Sequence, residues 1–120
     1  KTIYDPCPAG WRVPDCGING VWAKACGSSS YFEDYPYDSK YEGMNFSGKF
    51  GSASVIWYPA SGSRYGGDGS LNSVGDGGDY WSVTPKGSGA YGLGFGSPGY
   101  VSSSTLSSQA NGHALRCLQE

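Results

Sequence analysis

The placement of the cysteines constrains this chain most. Cys7 stands in Asp5-Pro6-Cys7-Pro8-Ala9-Gly10-Trp11-Arg12-Val13-Pro14 and Cys117 closes Asn111-Gly112-His113-Ala114-Leu115-Arg116-Cys117, with Cys16 and Cys26 between them. An even set of four cysteines in a small, glycine-rich chain reads as two disulfides formed in an oxidising compartment. Four cysteines allow three pairings. Cys7–Cys117 with Cys16–Cys26 is favoured: the first ties the two terminal segments together, and the second closes a short loop from Gly17 to Ala25. In the chain-entropy description the long closure contributes roughly 4–5 kcal/mol and the short one roughly 2–3 kcal/mol. A structural zinc is disfavoured, because there is no C-x-x-C and no histidine near Cys16 or Cys26. Ends joined in this way leave from one pole, and recognition is expected at the other.

Covalent help matters because little else in the composition holds a core together. With 120 residues the chain is one domain, 1–120, since halves would be too small to bury useful cores. Its 21 Gly and 7 Pro with only 38% hydrophobic residues make it loop-rich, and flexible backbone costs entropy to order. The 4 Trp, 10 Tyr and 4 Phe partly offset this by burying large areas per residue. A formal charge of −2 argues against a nucleic-acid or anionic-membrane surface. No hydrophobic run approaches spanning length, so direct membrane insertion is not expected. The chain starts at Lys1 without a signal peptide or anchor, and is read as a mature or excised domain, extracellular or on a cell surface.

Along the chain, residues 1–14 read as extended, with Pro8 and Pro14 excluding helix. Asp15 is placed to cap a short helix carrying Ile18, Val21, Trp22 and Ala25, stopped by Gly27 and the serines 28–30. From Tyr31 to Phe50 aromatic and acidic residues mix without a sustained period, which predicts a self-packed loop with short strands. Ala53 to Pro59 is the expected central strand. Gly62 to Asp79 is expected as a surface loop pinned by Leu71 and Val74, followed by strands at Tyr80–Val83, Ala90–Gly96 and Ala114–Leu118. In Ala90–Gly96 strict alternation puts Tyr91, Leu93 and Phe95 on a buried face and Gly92, Gly94 and Gly96 on the other. Three glycines on one face either admit another backbone closely or mark a face released from packing.

The blocks DPCPAGWRVP, YPASG, GSLNSVG, GDYWSVTP, AYGLGF and NGHALRC are spread along the chain from Asp5 to Cys117, and together they resemble the C-type-lectin-like surface domains of Bacteroidetes lipoproteins and fimbrillin-like proteins. The resemblance implies an α+β, C-type-lectin-like fold: a small twisted antiparallel sheet with one or two short helices and long irregular loops, disulfide-stapled. It also implies binding rather than catalysis. A longer polar helix often follows the WRVP block in that family, and Cys16 with Cys26 stands as a local replacement.

The residues themselves also point away from an enzyme. His113 is the only histidine, no nucleophile signature accompanies it, and a structural part is expected for it. Asp68, Asn72, Asp76 and Asp79 offer oxygens, but neither an EPN, QPD or WND block nor D-x-D-x-D-G spacing occurs, so neither metal nor cofactor is expected. The candidate ligand-binding positions are Tyr65, Gly66, Gly67, Asp68, Asp76, Gly78, Asp79, Ser88, Gly92, Gly94, Gly96, Tyr100, Ser103 and Ser104, the Tyr/Ser/Gly/Asp palette of antibody paratopes. They are also residues reachable from Asn codons by changing adenines, as in lectin-fold targets of diversity-generating retroelements; Lys86 and Gln109 are not. Low-complexity drift in a surface loop accounts for the same composition. The expected function is adhesion or recognition of a protein or glycan at a cell surface through one contiguous exposed face of residues 65–108. The alternative is a structural module of a pilus or lipoprotein that packs against a neighbouring subunit.

Overall fold

The computed structural model describes residues 2–26, 36–46 and 56–120. Its elements in chain order are β1 (Trp11–Arg12), α1 (Val21–Cys26), β2 (Tyr37–Asp38), β3 (Gly43–Asn45), β4 (Trp57–Pro59), β5 (Ser63–Arg64), β6 (Leu71–Asn72), β7 (Gly77–Lys86), β8 (Gly89–Gly96), β9 (Tyr100–Ser108) and β10 (Leu118–Gln119). Strand accounts for 46% of the description and helix for 6%, in several small antiparallel sheets. This corrects the expected α+β, C-type-lectin-like class to a mostly β chain with one short helix.

Glycine and pairing decide where helix and strand fall. The helix is confined to six residues. Gly17 sits at φ +89°, and a Cβ at Gly20 would meet the Asp15 carbonyl oxygen at 2.5 Å, so the approach to the helix is a tight turn. Asp15 does not cap it; its carboxylate accepts from Arg12 at 2.7 Å. Ile18, expected on the helix, is 70% exposed. The main sheet has the order β7-β8-β9, a meander in which β8 is central. Strand β9 falls outside the strands expected from the sequence, since a serine-rich run has weak strand propensity. Pairing along β8, from Gly89↔Ser108 to Gly96↔Tyr100, makes it a strand nonetheless.

The expected central strand proves peripheral. Strand β4 stands at the edge of the order β2-β3-β4, and residues 53–55 of the expected strand lie outside the described residues, as do parts of the 31–50 loop. Leu71 and Val74 do not pin the 62–79 segment, being 60% and 58% exposed. Backbone bonds hold it instead: Gly62 N donates to Gly77 O at 2.8 Å, and Gly75 N to Ala60 O at 2.9 Å.

The core lies between the inner face of β7–β9 and the elements α1, β3 and β4. It is an aromatic lattice: Phe46 meets Tyr58 edge-on at 5.2 Å, Tyr58 meets Tyr80 at 4.9 Å, and Tyr80 stacks with Phe95 at 6.1 Å. Rings with polar ends stay satisfied inside it. Trp22 Nε1 donates to the Tyr58 hydroxyl at 3.2 Å, and the Tyr80 hydroxyl to Pro59 O at 2.8 Å.

Cys7 and Cys117 form a disulfide, and the β1–β10 ribbon pairs beside it through Trp11↔Gln119 and Arg12↔Leu118. Cys16 and Cys26 are not joined to each other, and neither is in a disulfide. Cys16 is instead a buried tie across the sheet. Its N–H donates to Thr84 Oγ1 at 2.9 Å, within the register shift between Trp81 and Pro85. Its thiol donates to Ser103 O, beside the shift between Gly92 and Gly94. Bulges free backbone groups from the ladder, and Cys16 takes up one of them. Burial pushes its thiol pKa up, against hydrogen bonds that would lower it.

Candidate functional site

Alternation along β7 generates the site. Tyr80 pairs with Leu93 on the core side, so Asp79 and Trp81 turn to the outer face, opposite Gly94 and Gly92. Strand β9 adds Tyr100 opposite Gly96, Ser102 opposite Gly94 and Thr105 opposite Gly92. The glycine face of β8 is therefore the outer face, as the alternation implies. It is nevertheless buried, because neighbours occupy the volume that its side chains would need. A Cβ at Gly94 would lie 2.6 Å from Thr105 Oγ1 and 3.3 Å from Asp79 Oδ1, and one at Gly96 would lie 2.4 Å from the Tyr100 ring. At Gly92 the obstacle is backbone, the Tyr80 carbonyl oxygen at 2.4 Å.

The expected recognition surface does not assemble as one face. Gly78, Gly92, Gly94, Gly96 and Ser103 are buried, which corrects their assignment as exposed, diversified positions. Gly78 lies on the core side, where a Cβ would meet the Phe95 ring at 2.6 Å, and Ser103 is 2% exposed. Tyr65, Gly66, Gly67 and Asp68 are exposed at the β5–β6 tip, where Gly66 N donates to Asn111 Oδ1 at 3.0 Å. Hydrogen bonds from Ser70 hold the Asp68 carboxyl below its ordinary pKa. Asp76 sits with Tyr100 at the β8–β9 end of the sheet, its carbonyl accepting from Ser97 N at 2.8 Å. Ser88 is exposed in the β7–β8 turn at the opposite end, and Asp79 and Ser104 are half-buried.

Two grooves border Trp81. His113 lies flat against its ring, centroids 4.1 Å apart and 18° from parallel. The stack is positioned by the chain returning beside β7, where Trp81 N donates to Ala114 O at 3.0 Å and Ala114 N to Asp79 O at 2.9 Å. Burial lowers the His113 pKa, and the Asp79 carboxylate opposes the shift without reversing it. On one side Trp81, Ser82 and Val83 border a groove of about 480 Å³ whose far wall is the N-terminal segment Thr2, Tyr4, Asp5 and Pro6. Arg12, Val13, Asp15 and Leu115 complete it. On the other side the same three residues border a smaller groove of about 270 Å³ with Pro85, Ala90 and Gln109.

A further groove of about 530 Å³ runs along β1 and β10 past Trp11, Ile56 and Arg116. There the guanidinium is already committed, lying 4.9 Å over the Tyr58 ring and donating to Trp57 O at 2.7 Å. Recognition was expected away from the chain ends, yet both larger grooves flank the ribbon that joins them, because that ribbon stands clear of the core. Among the described residues no group of His, Cys, Asp and Glu is placed to hold a metal ion.

The candidate positions drawn from the sequence leave out Trp81 and, around it, Arg12, Asp15, Val83 and Leu115. The missing signal was register. Placing Tyr80 opposite Leu93 sends Trp81 away from the core, whereas hydrophobicity alone sends it in. Compared with protein-family models, curated proteins and solved structures, the chain matches none.

Proposed function

We propose that this chain is an extracellular recognition domain that binds a protein or glycan ligand at the surface centred on Trp81. The observation that carries the reading is a partly buried Trp81, stacked by His113 and bordered by two grooves. A tryptophan that is already ordered loses little conformational freedom on binding, and such residues concentrate binding energy in interfaces. The groove of about 480 Å³ is within the usual size range of ligand sites. The Cys7–Cys117 disulfide supports an oxidising, extracellular setting.

The test is a binding screen of the immobilised domain against cell-surface glycans and surface-protein extracts, repeated with Trp81→Ala and Val83→Asp. Val83 is 55% exposed and borders both grooves, so an aspartate there leaves the fold intact while placing charge at the site. Both variants are expected to bind at least about tenfold more weakly, a loss of about 1.4 kcal/mol. A ligand held equally well by Val83→Asp would place recognition elsewhere on the molecule.

A further inference from the structure

His113 sits on a pivot. The residues on either side of it are fixed by backbone bonds: Arg64 N donates to Gly112 O at 2.7 Å and Gly112 N to Arg64 O at 2.8 Å, while Ala114 N donates to Asp79 O at 2.9 Å and Ala114 O accepts from Trp81 N at 3.0 Å. The ring between them is stacked on Trp81 with centroids 4.1 Å apart, and among the described residues no hydrogen bond reaches either of its nitrogens. It can therefore leave the indole by turning about its own side-chain bonds, while the backbone beside β5 and β7 stays in place.

Protonation changes which position is favoured. Half-buried and neutral, the ring gives Trp81 an apolar contact at little cost in hydration. An imidazolium in the same place is drawn to the indole face and to the Asp79 carboxylate on β7, but it gives up hydration that turning outward restores. Burial outweighs the carboxylate, since the ring's pKa lies below its ordinary value in spite of Asp79. The arginines of the adjoining backbone are engaged elsewhere: Arg64 on β5 donates to Gly69 O, and Arg116 donates to Trp57 O and lies over the Tyr58 ring. Building on the Trp81-centred reading, we propose that His113 is a pH-operated clamp on that surface: neutral, it lies flat on the indole and fixes it for a ligand; protonated, it turns into water and leaves Trp81 unclamped, so that the surface is ordered at neutral pH and loosens in acid.

His113 is the sole histidine, so its ring protons report on the clamp without ambiguity. They are to be followed by NMR, together with the Trp81 indole, from about pH 7.5 to about pH 4.5, a range that brackets the ordinary histidine pKa. Ring-to-ring NOEs between His113 and Trp81 are expected at the neutral end and lost at the acid end. The indole shifts should follow the His113 titration, while the Gly112, Ala114 and Trp81 amides stay protected from exchange. In His113→Phe the NOEs should persist into acid and the indole should lose that titration; in Asp79→Asn the midpoint should move to lower pH, because the carboxylate favours the imidazolium. NOEs that survive protonation, amide protection lost over the same range, or an indole that titrates as before in His113→Phe would overturn the proposal. The titration needs no ligand, so its failure would remove the clamp alone and leave the recognition reading standing, whereas undiminished binding by Val83→Asp beside the expected titration would remove that reading and not the ring switch.

Discussion

His113 shows how one residue couples the site to stability. Its ring is half-buried against Trp81, and withdrawing it from water disfavours the imidazolium, so its pKa falls below the ordinary value of about 6.5. The nearby Asp79 carboxylate favours the charged form but does not offset the burial. In the unfolded chain the ring takes up its proton at the ordinary pH, so between the two pKa values the unfolded state binds more protons. The contribution of neutral His113 to stability is thus complete above about pH 6.5 and is lost as the pH falls through the folded-state pKa. Urea midpoints should fall from pH 7 toward pH 5, before most carboxylates titrate. His113→Phe keeps a flat ring on Trp81 and removes the proton, so it should flatten that slope; an unchanged slope would assign the effect to another group.

At the scale of elements, the β7–β8–β9 meander depends on the empty volume of its middle strand. Gly94 and Gly96 are needed because Thr105, Asp79 and Tyr100 lean across them, whereas Gly92 is needed because the Tyr80 backbone comes too close. Alanine at each position should cost about 1–3 kcal/mol through overpacking. The two cases separate in double-mutant cycles. Thr105→Ala should recover much of the loss from Gly94→Ala, and Tyr100→Ala much of that from Gly96→Ala, while no side-chain truncation recovers Gly92→Ala. Equal, uncoupled losses in denaturant titrations would show that the glycines serve turn or backbone freedom instead.

The same strands mark what could be read from sequence. The two faces of β8 were legible because alternation is a local property of the chain. Exposure was not, since it depends on which β9 residue stands opposite each glycine, and a bulge sets that register. Strand β9 was illegible for a related reason: its serines form a strand only because β8 is there to pair with. Cys16 misled in the same way, because its distance to Ser103 is a tertiary fact while its distance to Cys26 in sequence is short.

The whole molecule is closed by one covalent bond whose position also shapes the groove. Cys7–Cys117 spans a sequence separation of 110 residues, and the ribbon beside it has only two residue pairs. Opening so long a loop should cost about 4–5 kcal/mol in the chain-entropy description. The wall formed by Thr2–Pro6 is adjacent to Cys7, so Cys7→Ser with Cys117→Ser should weaken binding at Trp81 as well as stability, whereas Cys26→Ser should leave binding unchanged. Peptide mapping without reductant should recover Cys7 joined to Cys117 and both Cys16 and Cys26 as thiols. Buried and with its pKa raised, Cys16 should resist iodoacetamide until the chain unfolds. A Cys16–Cys26 peptide from protein prepared without reductant would mean that the thiol leaves Ser103 O and that the two bulges are held by something else, and the loss of that tie should then appear as faster amide exchange in β9.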